Sequence, residues 1–214
     1  MDKIQVTKDH YNFLKYVNEG RWSSYYEQIK ECLKFVGEGE VLYVGVGDYL
    51  VPKIITMINP DINLETVDYD EALNPDYVIS VLKMSDVINK KYDCIICCQL
   101  LEHLPFSDFT NALKEISKCL KSNGHLILSL PDCGREIRIN ICIPKVINRD
   151  WIIRSCRKKT FEMTKEHFWE VNGGKTYSNK EINRLINLQF FVEKEYLVKN
   201  NHYHHFYICK KKDI

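Results

Sequence analysis

Gly39-Glu40-Val41-Leu42-Tyr43-Val44-Gly45-Val46-Gly47-Asp48-Tyr49-Leu50 is the stretch that decides the predicted fold. Residues 41–44 form an apolar run rich in β-branched side chains, which predicts a short buried strand. Gly45 and Gly47 follow, and the apolar residues of 50–58 then recur at helical spacing. A strand, a glycine turn and a helix in this order let the backbone approach a nucleotide closely, because glycine has no Cβ. Two glycines are as typical of a simple tight turn, so the interpretation depends on the rest of the chain.

Composition places the chain among ordinary globular proteins. It has 214 residues, of which 45% are hydrophobic and 28% charged, which fits one domain with a substantial core. A formal net charge of +1 gives no overall electrostatic reason to bind nucleic acid or a membrane. No apolar run approaches the roughly 20 residues of a transmembrane helix, and the first residues lack the layout of a secretory signal. We therefore expect a cytoplasmic protein without a transmembrane segment.

Nine cysteines are spread over the predicted strands and helices. Cys94 and Cys97 have the spacing of metal ligands, but side chains three residues apart on a strand face opposite sides of the sheet. The cysteines are therefore predicted to be reduced and buried, which agrees with a cytoplasmic location. No metal site is predicted, and His202, His204 and His205 are assigned to packing at a sheet edge.

Strands and helices alternate beyond the opening stretch. Strand patterns occupy 62–67, 76–82, 92–98 and 125–130. Helical patterns occupy 9–36 with a break near Gly20, 50–58, and 107–120, which Gly124 is predicted to end. This alternation predicts an α/β fold of Rossmann-like type, in which a mostly parallel sheet carries helices on both faces.

The end of the chain predicts a different arrangement. Ser178 and Glu181 have the spacing of a capping box and open a helix through Leu188. Strand patterns at 189–198 and 202–209 follow, and the few residues between them cannot form a helical crossover. These two strands must be antiparallel neighbours, so an antiparallel C-terminal hairpin is predicted to close the sheet.

The chain is predicted to be a single domain, 1–214, built from consecutive parts. These are a helical N-terminal cover (1–38), a cofactor-binding half (39–132), a basic insertion that acts as a substrate lid (133–177), and the closing helix and hairpin (178–214). The helical cover either packs on the sheet alone or contributes Arg21, Trp22 and Tyr26 to a lid over the site.

Polar and small residues follow several of the predicted strands directly. In an open parallel sheet a ligand binds at the carboxyl ends of the strands, near the reversal of strand order. Asp68 lies about 20 residues after the glycines, where a carboxylate can accept hydrogen bonds from a ribose diol. The other strand-end residues are Gly45, Gly47, Asp48, Ser80, Val81, Cys98, Gln99, Glu102 and His103. Their order and spacing predict a pocket for an adenosine-containing cofactor.

The chain resembles the class I S-adenosylmethionine-dependent methyltransferases. The resemblance rests on residues 41–47 (VLYVGVG), 66–70 (TVDYD) and, most specifically, 92–105 (YDCIICCQLLEHLP), which is similar to the family's FDVV…(E/Q)VLEHL block. It covers roughly residues 40–130, and the closing hairpin suits the sheet of this family.

The resemblance implies that S-adenosylmethionine is the cofactor. The glycine turn would then lie against the methionine part, Asp68 would bind the ribose, and Tyr69 and Val81 would contact adenine. Cys98 and Gln99 would border the sulfonium. The implied cofactor-binding residues are Tyr43, Gly45, Gly47, Asp48, Asp68, Tyr69, Ser80, Val81, Cys98 and Gln99.

Three positions depart from the family pattern, and they motivate an alternative function. Tyr43 and Ser80 stand where acidic residues are usual, and Tyr49 stands where a third glycine is usual. One alternative is therefore a non-catalytic member of the fold that acts as a binding or scaffold subunit. Another is an NAD-type oxidoreductase, but the third glycine of its G-x-G-x-x-G motif would fall at Leu50.

Methyl transfer to an oxygen requires alignment of the reactants and a base for the departing proton. His167 lies in EHFWE (166–170), which resembles a block found in methyltransferases that also carry an N-terminal Arg-Trp such as Arg21-Trp22. We predict His167 as the catalytic base and His103, at the start of the helix after the fourth strand, as the second candidate. The predicted substrate-binding residues are Arg21, Trp22, Tyr26, Arg135, Trp169 and Glu170.

Basic residues concentrate in the segment 135–159, which carries Arg135, Arg138, Lys145, Arg149, Arg154, Arg157, Lys158 and Lys159 against two acidic residues. This segment is either a solvated surface, a contact for an anionic membrane, or a recognition site for an anionic acceptor. We predict O-methylation of a small acceptor, of which a phosphorylated or nucleotide-linked sugar is one form.

Overall fold

The computed structural model describes residue 11, residues 13–155 and residues 167–213, and only the backbone of residues 135, 136, 138, 140, 150, 152, 154 and 155. Its strands are β1 (Gly39–Val44), β2 (Ile62–Asp68), β3 (Tyr77–Val78), β4 (Tyr92–Cys98), β5 (Leu120–Pro131), β6 (Arg135–Ile143), β7 (Ile147–Ser155), β8 (Phe190–Val198) and β9 (Asn201–Lys211). Its helices are α1 (Phe13–Tyr16), α2 (Glu19–Phe35), α3 (Leu50–Ile58), α4 (Met84–Val87), α5 (Phe109–Cys119) and α6 (Asn179–Ile186).

Seven strands form the central sheet in the order β3-β2-β1-β4-β5-β9-β8. The pairs among β1 to β5 are parallel, and β9 lies antiparallel between β5 and β8. Val44 at the end of β1 is in register with Val67 on one side and Cys97 on the other. The carboxyl ends of β1, β2 and β4 therefore meet at one edge, where the strand order reverses. The predicted fold class and the antiparallel closing hairpin are confirmed.

The sheet has a hydrophobic core on each face, which explains why β4 lacks polar alternation. Cys94 and Ile96 pack on the α2 side with Val41, whereas Ile95 and Cys97 pack on the α5 side. The prediction that Cys94 and Cys97 face opposite sides is confirmed. No disulfide joins the cysteines that lie within the described residues. No helix in this part of the chain has the length and apolar character needed to cross a bilayer.

One predicted boundary in the first half of the chain is wrong, and one break is confirmed. The predicted strand 76–82 is reduced to Tyr77–Val78, because residues 81–83 turn into a 3-10 helix for which Ser80 is the N-cap. The N-terminal helix is broken at residues 17–18, near Gly20 as predicted, and the Asn18 side chain accepts a hydrogen bond from Arg21 N at the start of the second helix.

Two predicted helix signals are also corrected. Helix α5 ends at Cys119, and the left-handed residue that follows is Asn123, at φ 62°, rather than Gly124. Ser178 is the N-cap residue of α6 but makes no capping hydrogen bond with its side chain, so no capping box forms. Glu181 instead forms an ion pair with Arg184 at 2.7 Å.

The insertion contains regular structure that the sequence analysis missed. Strands β6 and β7 form a separate antiparallel pair in which Ile137 faces Ile153 and Ile139 faces Trp151. The signal was the recurrence of isoleucine at every second position from Ile137 to Ile143, which is a strand period. Arg157, Lys158 and Lys159 of the predicted basic segment lie outside the described residues.

Candidate active site

A cavity of about 520 Å³ opens at the carboxyl edge of the sheet, where β1, β2 and β4 end. It has the size range of small-ligand and cofactor sites. All the predicted cofactor residues line it, namely Tyr43, Gly45, Gly47, Asp48, Asp68, Tyr69, Ser80, Val81, Cys98 and Gln99. The topology therefore brings together residues that the sequence separates by more than 50 positions.

The turn after β1 is shaped by its glycines. Gly45 has φ 86°, and a Cβ built there would lie 2.4 Å from Cδ1 of Leu100. A side chain at Gly45 would therefore displace Leu100, which also lines the cavity. Tyr49, the residue in place of the third glycine, adopts φ 64° and donates its hydroxyl proton to the Asn74 carbonyl at 2.6 Å. Tyr49 is not among the described residues that line the cavity.

Asp68 connects the end of β2 to this turn. Its Oδ2 accepts a hydrogen bond from Val46 N at 2.9 Å, and its Oδ1 accepts one from Asp70 N at 3.0 Å. Burial raises the pKa of this carboxyl group above its usual value, although the backbone donors oppose the shift. A carboxylate has about four acceptor sites, so these backbone donors leave room for a hydrogen bond from a ribose hydroxyl.

Helix α2 is attached to the same edge of the cavity by two hydrogen bonds. The Tyr25 hydroxyl donates to Oδ2 of Asp48 at 2.6 Å, and the Tyr43 hydroxyl donates to Oε1 of Gln28 at 2.9 Å. Tyr43 thus fills the usual acidic position with a buried phenol that joins β1 to α2. This contact explains a departure from the family pattern that the sequence alone left open.

The three predicted lid residues of α2 separate onto two faces. Arg21 lines the cavity, where it lies over the Tyr16 ring at 3.8 Å and donates to the Tyr16 hydroxyl at 2.7 Å. Trp22 and Tyr26 are 48% and 59% exposed and line a groove on the outer face of the helix. Residues 22 and 26 are one turn apart and share this outer face. Trp22 and Tyr26 therefore lie outside the described lining of the cavity, whereas Arg21 belongs to it, and the predicted substrate contacts of these residues stay predictions.

A polar cluster, formed by Glu102, His103 and His167, lies where β4 ends. Each of the three side chains offers a donor atom, and these atoms lie within 4.8 Å of one another. The rings of His103 and His167 meet edge to face at 5.0 Å, and His103 lines the cavity. Glu102 is fully buried, and neither of its oxygens has a hydrogen-bond partner among the residues that the structure describes. Burial raises its pKa to about 7.

Glu170 and Tyr203 hold the His167 ring in its orientation. Its Nδ1 lies 3.0 Å from Oε1 of Glu170, and the Tyr203 hydroxyl donates to the same oxygen. Because an ionised carboxylate only accepts hydrogen bonds, Nδ1 of His167 carries a proton in this pair. Trp169 is fully buried and donates its indole proton to the Leu104 carbonyl at 3.0 Å. Trp169 and Glu170 therefore lie outside the described cavity lining; Glu170 orients His167, and Trp169 packs with Phe106, Phe109 and Tyr177.

The sequence of the chain matches a family whose members are described as methyltransferase domains, over residues 24–187. The chain belongs to this methyltransferase family. The prediction of an S-adenosylmethionine-dependent methyltransferase is confirmed at the level of family and fold. No curated protein matches the chain significantly.

Solved structures of methyltransferases share the fold at low sequence identity. The N-methyltransferase NodS from Bradyrhizobium japonicum WM9, in complex with S-adenosyl-L-homocysteine, is 9% identical with a TM-score of 0.63, over 92% of this chain and 89% of that chain. The 1,6-didemethyltoxoflavin-N1-methyltransferase from Burkholderia thailandensis is 13% identical with a TM-score of 0.61, over 100% of this chain and 94% of that chain. An S-adenosylmethionine-dependent methyltransferase from Clostridium acetobutylicum is 13% identical with a TM-score of 0.59, over 94% of this chain and 95% of that chain.

Several cavity residues of the methyltransferase were not predicted. They are Tyr11, Tyr16, Tyr25, Gln28, Asp70, Asp108, Phe168 and His204. Most of them come from the N-terminal helices and from β9, and no local pattern indicates which side of a helix will face a cavity. Glu102 was named among the strand-end residues, but no chemical role was assigned to it from the sequence.

The remaining residues from the sequence analysis are Arg135 and the histidines of β9. Arg135 is the first residue of β6 and pairs with Ser155, so it lies in the hairpin rather than in the central sheet. His204 lines the cavity, and burial lowers its pKa to about 3. The two ring nitrogens of His205 form hydrogen bonds, Nδ1 with Oδ2 of Asp132 and Nε2 with Oε1 of Glu195, each at 2.9 Å. The prediction of simple edge packing therefore omitted the cavity contact of His204.

Proposed function

We propose that this methyltransferase transfers the methyl group of S-adenosylmethionine to an oxygen atom of a small acceptor. The observation that carries the proposal is the location of the polar cluster. Through His103, this cluster reaches the cavity that Gly45, Asp68 and Gln99 also line. A cofactor site and an acid–base site thus share one opening at the sheet edge, where α/β folds place their ligands.

The residues of the cavity fit S-adenosylmethionine. The bare backbone at Gly45 allows close approach of the methionine part, the remaining lone pairs of Asp68 suit the ribose diol, and the exposed ring of Tyr69 offers a surface for adenine. When bound, the cofactor supplies a methyl group on a sulfonium that leaves as a neutral thioether. The chain then has to align the acceptor and accept its proton.

His167 is the proposed base. Its Nδ1 lies 3.0 Å from Glu170, which orients the ring, and one ring nitrogen lies within 4.8 Å of donor atoms of Glu102 and His103. With the Nδ1 proton held by Glu170, Nε2 would take the acceptor proton. The acceptor oxygen forms its bond to the methyl carbon, the carbon–sulfur bond breaks with its electron pair passing to sulfur, and the acceptor proton passes to the histidine. A neutral amine needs no proton removal before attack, whereas a hydroxyl does. An oriented histidine–carboxylate pair therefore favours an oxygen acceptor.

A positive charge at the cavity favours an anionic acceptor. Arg21 lines the cavity, and the sequence of residues 135–159 carries eight basic residues against two acidic ones. Arginine forks bind phosphate groups in two-point contacts. We therefore retain a phosphorylated or nucleotide-linked sugar as the proposed acceptor class. A reducing, cytoplasmic location is also retained as a proposal, because no disulfide joins the described cysteines.

Calorimetric titration with S-adenosylmethionine, S-adenosylhomocysteine and NAD tests the cofactor assignment. Binding of the first two and not of NAD is expected. Binding of none would support the scaffold alternative, and binding of NAD alone would support an oxidoreductase.

The acceptor is tested with matched hydroxyl and amine compounds, each with and without a phosphate group, at low and high salt. Methylation of amines alone would overturn the assignment of an oxygen acceptor. Turnover that does not change with salt concentration would overturn the assignment of an anionic acceptor.

A further inference from the structure

We propose that the polar cluster of Glu102, His103 and His167 is a binding site for a divalent transition-metal cation. The inference rests on the proposed function and deepens it, because the cation would sit where the acceptor meets the cavity. It is carried by three observations: an unsatisfied carboxylate, the set of donor atoms, and the groups that hold those donors.

The first observation is the state of Glu102. Its side chain is fully buried, and neither oxygen has a hydrogen-bond partner within the described part of the chain. A buried carboxylate without partners is strongly destabilising, and such groups in proteins are normally paired, hydrogen-bonded or bound to a metal. The groups that approach Glu102 here are two imidazoles, which are themselves metal ligands.

The second observation is the composition of the donor set. One carboxylate oxygen and two imidazole nitrogens lie within 4.8 Å of one another. Ligands of an occupied tetrahedral site lie about 3.4 Å apart, so modest side-chain rotations would close the set around an ion. Two nitrogen donors disfavour magnesium and calcium, whereas manganese, iron, cobalt and zinc accept this combination. Three protein ligands leave coordination positions open, as in catalytic rather than structural sites.

The third observation is the support behind the ligands. His167 Nδ1 lies 3.0 Å from Oε1 of Glu170, and Tyr203 donates to the same carboxylate, so the imidazole that belongs to the donor set is held in its orientation by two further side chains. Phe168 N donates to the Glu102 carbonyl at 2.9 Å, which fixes the segment after residue 166 against the turn after β4. Two parts of the chain that are distant in sequence are thereby joined at the three donors.

The site would select acceptors that coordinate a metal through oxygen. A bound cation lowers the pKa of a coordinated hydroxyl, whose proton then passes to solvent. The oxygen forms its bond to the methyl carbon, and the carbon–sulfur bond breaks with its electron pair passing to sulfur. With a cation in place a ring nitrogen of His167 would be a ligand, and the base role of His167 belongs to the cation-free protein.

Direct binding of the metal alone tests the proposal. The tag-free chain is treated with a chelator, dialysed, and titrated with Mn²⁺ and with Co²⁺, whose visible spectrum reports histidine coordination. Zinc is avoided because the many thiols of the chain also bind it. We expect one equivalent to bind, and we expect Glu102→Gln and His167→Asn to abolish this binding. Glu170→Gln, which alters only the support of His167, should weaken it about 10–100-fold.

His125→Gln is the matched control. His125 pairs with Glu193 near the opposite edge of the sheet, at the start of the parallel part of β5, so its loss should leave metal affinity unchanged. Wild-type protein that binds no cation, or Glu102→Gln that binds it as tightly as wild type, would overturn the proposal. The affinity of each sample for S-adenosylhomocysteine and its melting temperature are also measured. Retained cofactor binding without cation binding refutes this inference alone, whereas loss of both in the wild type refutes the proposed function as well.

Discussion

The hydroxyl of Tyr25 lies 2.6 Å from Oδ2 of Asp48, and this hydrogen bond joins helix α2 to the glycine turn after β1. The same carboxylate accepts Leu50 N through its Oδ1 at 3.1 Å, so Asp48 also holds the start of α3. One side chain therefore connects the N-terminal cover, the cofactor turn and the helix that follows the turn.

Removal of this hydroxyl should loosen the cofactor site. Tyr25→Phe loses a hydrogen bond worth about 1 kcal/mol and leaves part of Asp48 unsatisfied. We expect a lower melting temperature and an affinity for S-adenosylhomocysteine weaker by several-fold, measured by calorimetry. Tyr26→Phe is the control, because the neighbouring ring is 59% exposed on the outer face of α2 and should change neither quantity. Equal effects of the two substitutions would contradict the role of Tyr25.

Gly45 should tolerate no side chain. At φ 86° a left-handed backbone costs an alanine about 1–2 kcal/mol, and its Cβ would also meet Leu100 at 2.4 Å. Gly45→Ala is expected to lower both stability and cofactor affinity. The control is Gly37→Ala, since a Cβ at Gly37 would meet nothing within 4 Å. Leu100→Ala should restore part of the stability of Gly45→Ala; if it does not, the contact with Leu100 is not the cause.

Asp68 should be required for cofactor affinity. Asp68→Asn keeps the size of the side chain but turns an amide donor toward one of the backbone donors, Val46 N or Asp70 N. Loss of a charge-assisted hydrogen bond, worth about 1.5–3 kcal/mol, predicts about 10–100-fold weaker binding of S-adenosylhomocysteine. Asp61→Asn on the exposed turn before β2 should bind normally. Unchanged affinity of Asp68→Asn would exclude the ribose contact.

His167→Ala should abolish turnover and leave cofactor affinity near that of the wild type. General acid–base groups contribute about 10²–10⁴-fold to rate, and this histidine lies outside the predicted cofactor residues. Turnover is measured as formation of S-adenosylhomocysteine, and affinity by calorimetry. Turnover equal to that of the wild type would remove His167 from the mechanism.

Stability should depend on pH through His205. Burial opposes its protonation, but the hydrogen bonds to Asp132 and Glu195 outweigh burial and raise its pKa, while the hydrogen bond from His205 lowers the pKa of Glu195 to about 2. A raised histidine pKa stabilises the fold below the unfolded-state pKa of about 6.5, and this contribution is lost as pH rises through the folded-state value. His205→Gln should therefore lose more stability, relative to wild type, at about pH 6 than at about pH 9.

His125 provides a control of opposite sign. Burial lowers the pKa of His125, so its neutral form is favoured and its contribution falls as pH drops below the unfolded-state value. The stability difference between wild type and His125→Gln should therefore increase with pH, as followed by urea unfolding. If the stability difference from wild type changed with pH in the same direction for both variants, the stabilisation of protonated His205 by Asp132 and Glu195 would be contradicted.

The carboxyl-edge residues could be predicted because their signals are local. A strand that is apolar on both faces, a glycine turn and a strand-end aspartate each occupy adjacent positions, and parallel strands bring their carboxyl ends to one edge in any such sheet. Gly45, Asp68 and Gln99 were found in this way, and all line the cavity.

The orientation of α2 could not be predicted, because polar partners decide it. Gln28 is buried against the Tyr43 hydroxyl, and buried Glu31 pairs with Lys34 at 3.0 Å and Lys194 at 2.9 Å. These partners on β1 and β8 let polar residues face inward, so Trp22 and Tyr26 turn outward despite their apolar rings.

The sequence by itself determined the α/β order, the closing hairpin and the methyltransferase motifs, because periodicity and short glycine and acidic patterns depend on neighbouring residues. Only the tertiary structure decided which side chains share the site. Glu102 and His103 end one strand, while His167 enters from a segment with no periodic pattern and is oriented by Glu170 and by Tyr203 of β9. Contacts between such distant segments depend on how the closing hairpin packs against β5, which no local pattern encodes.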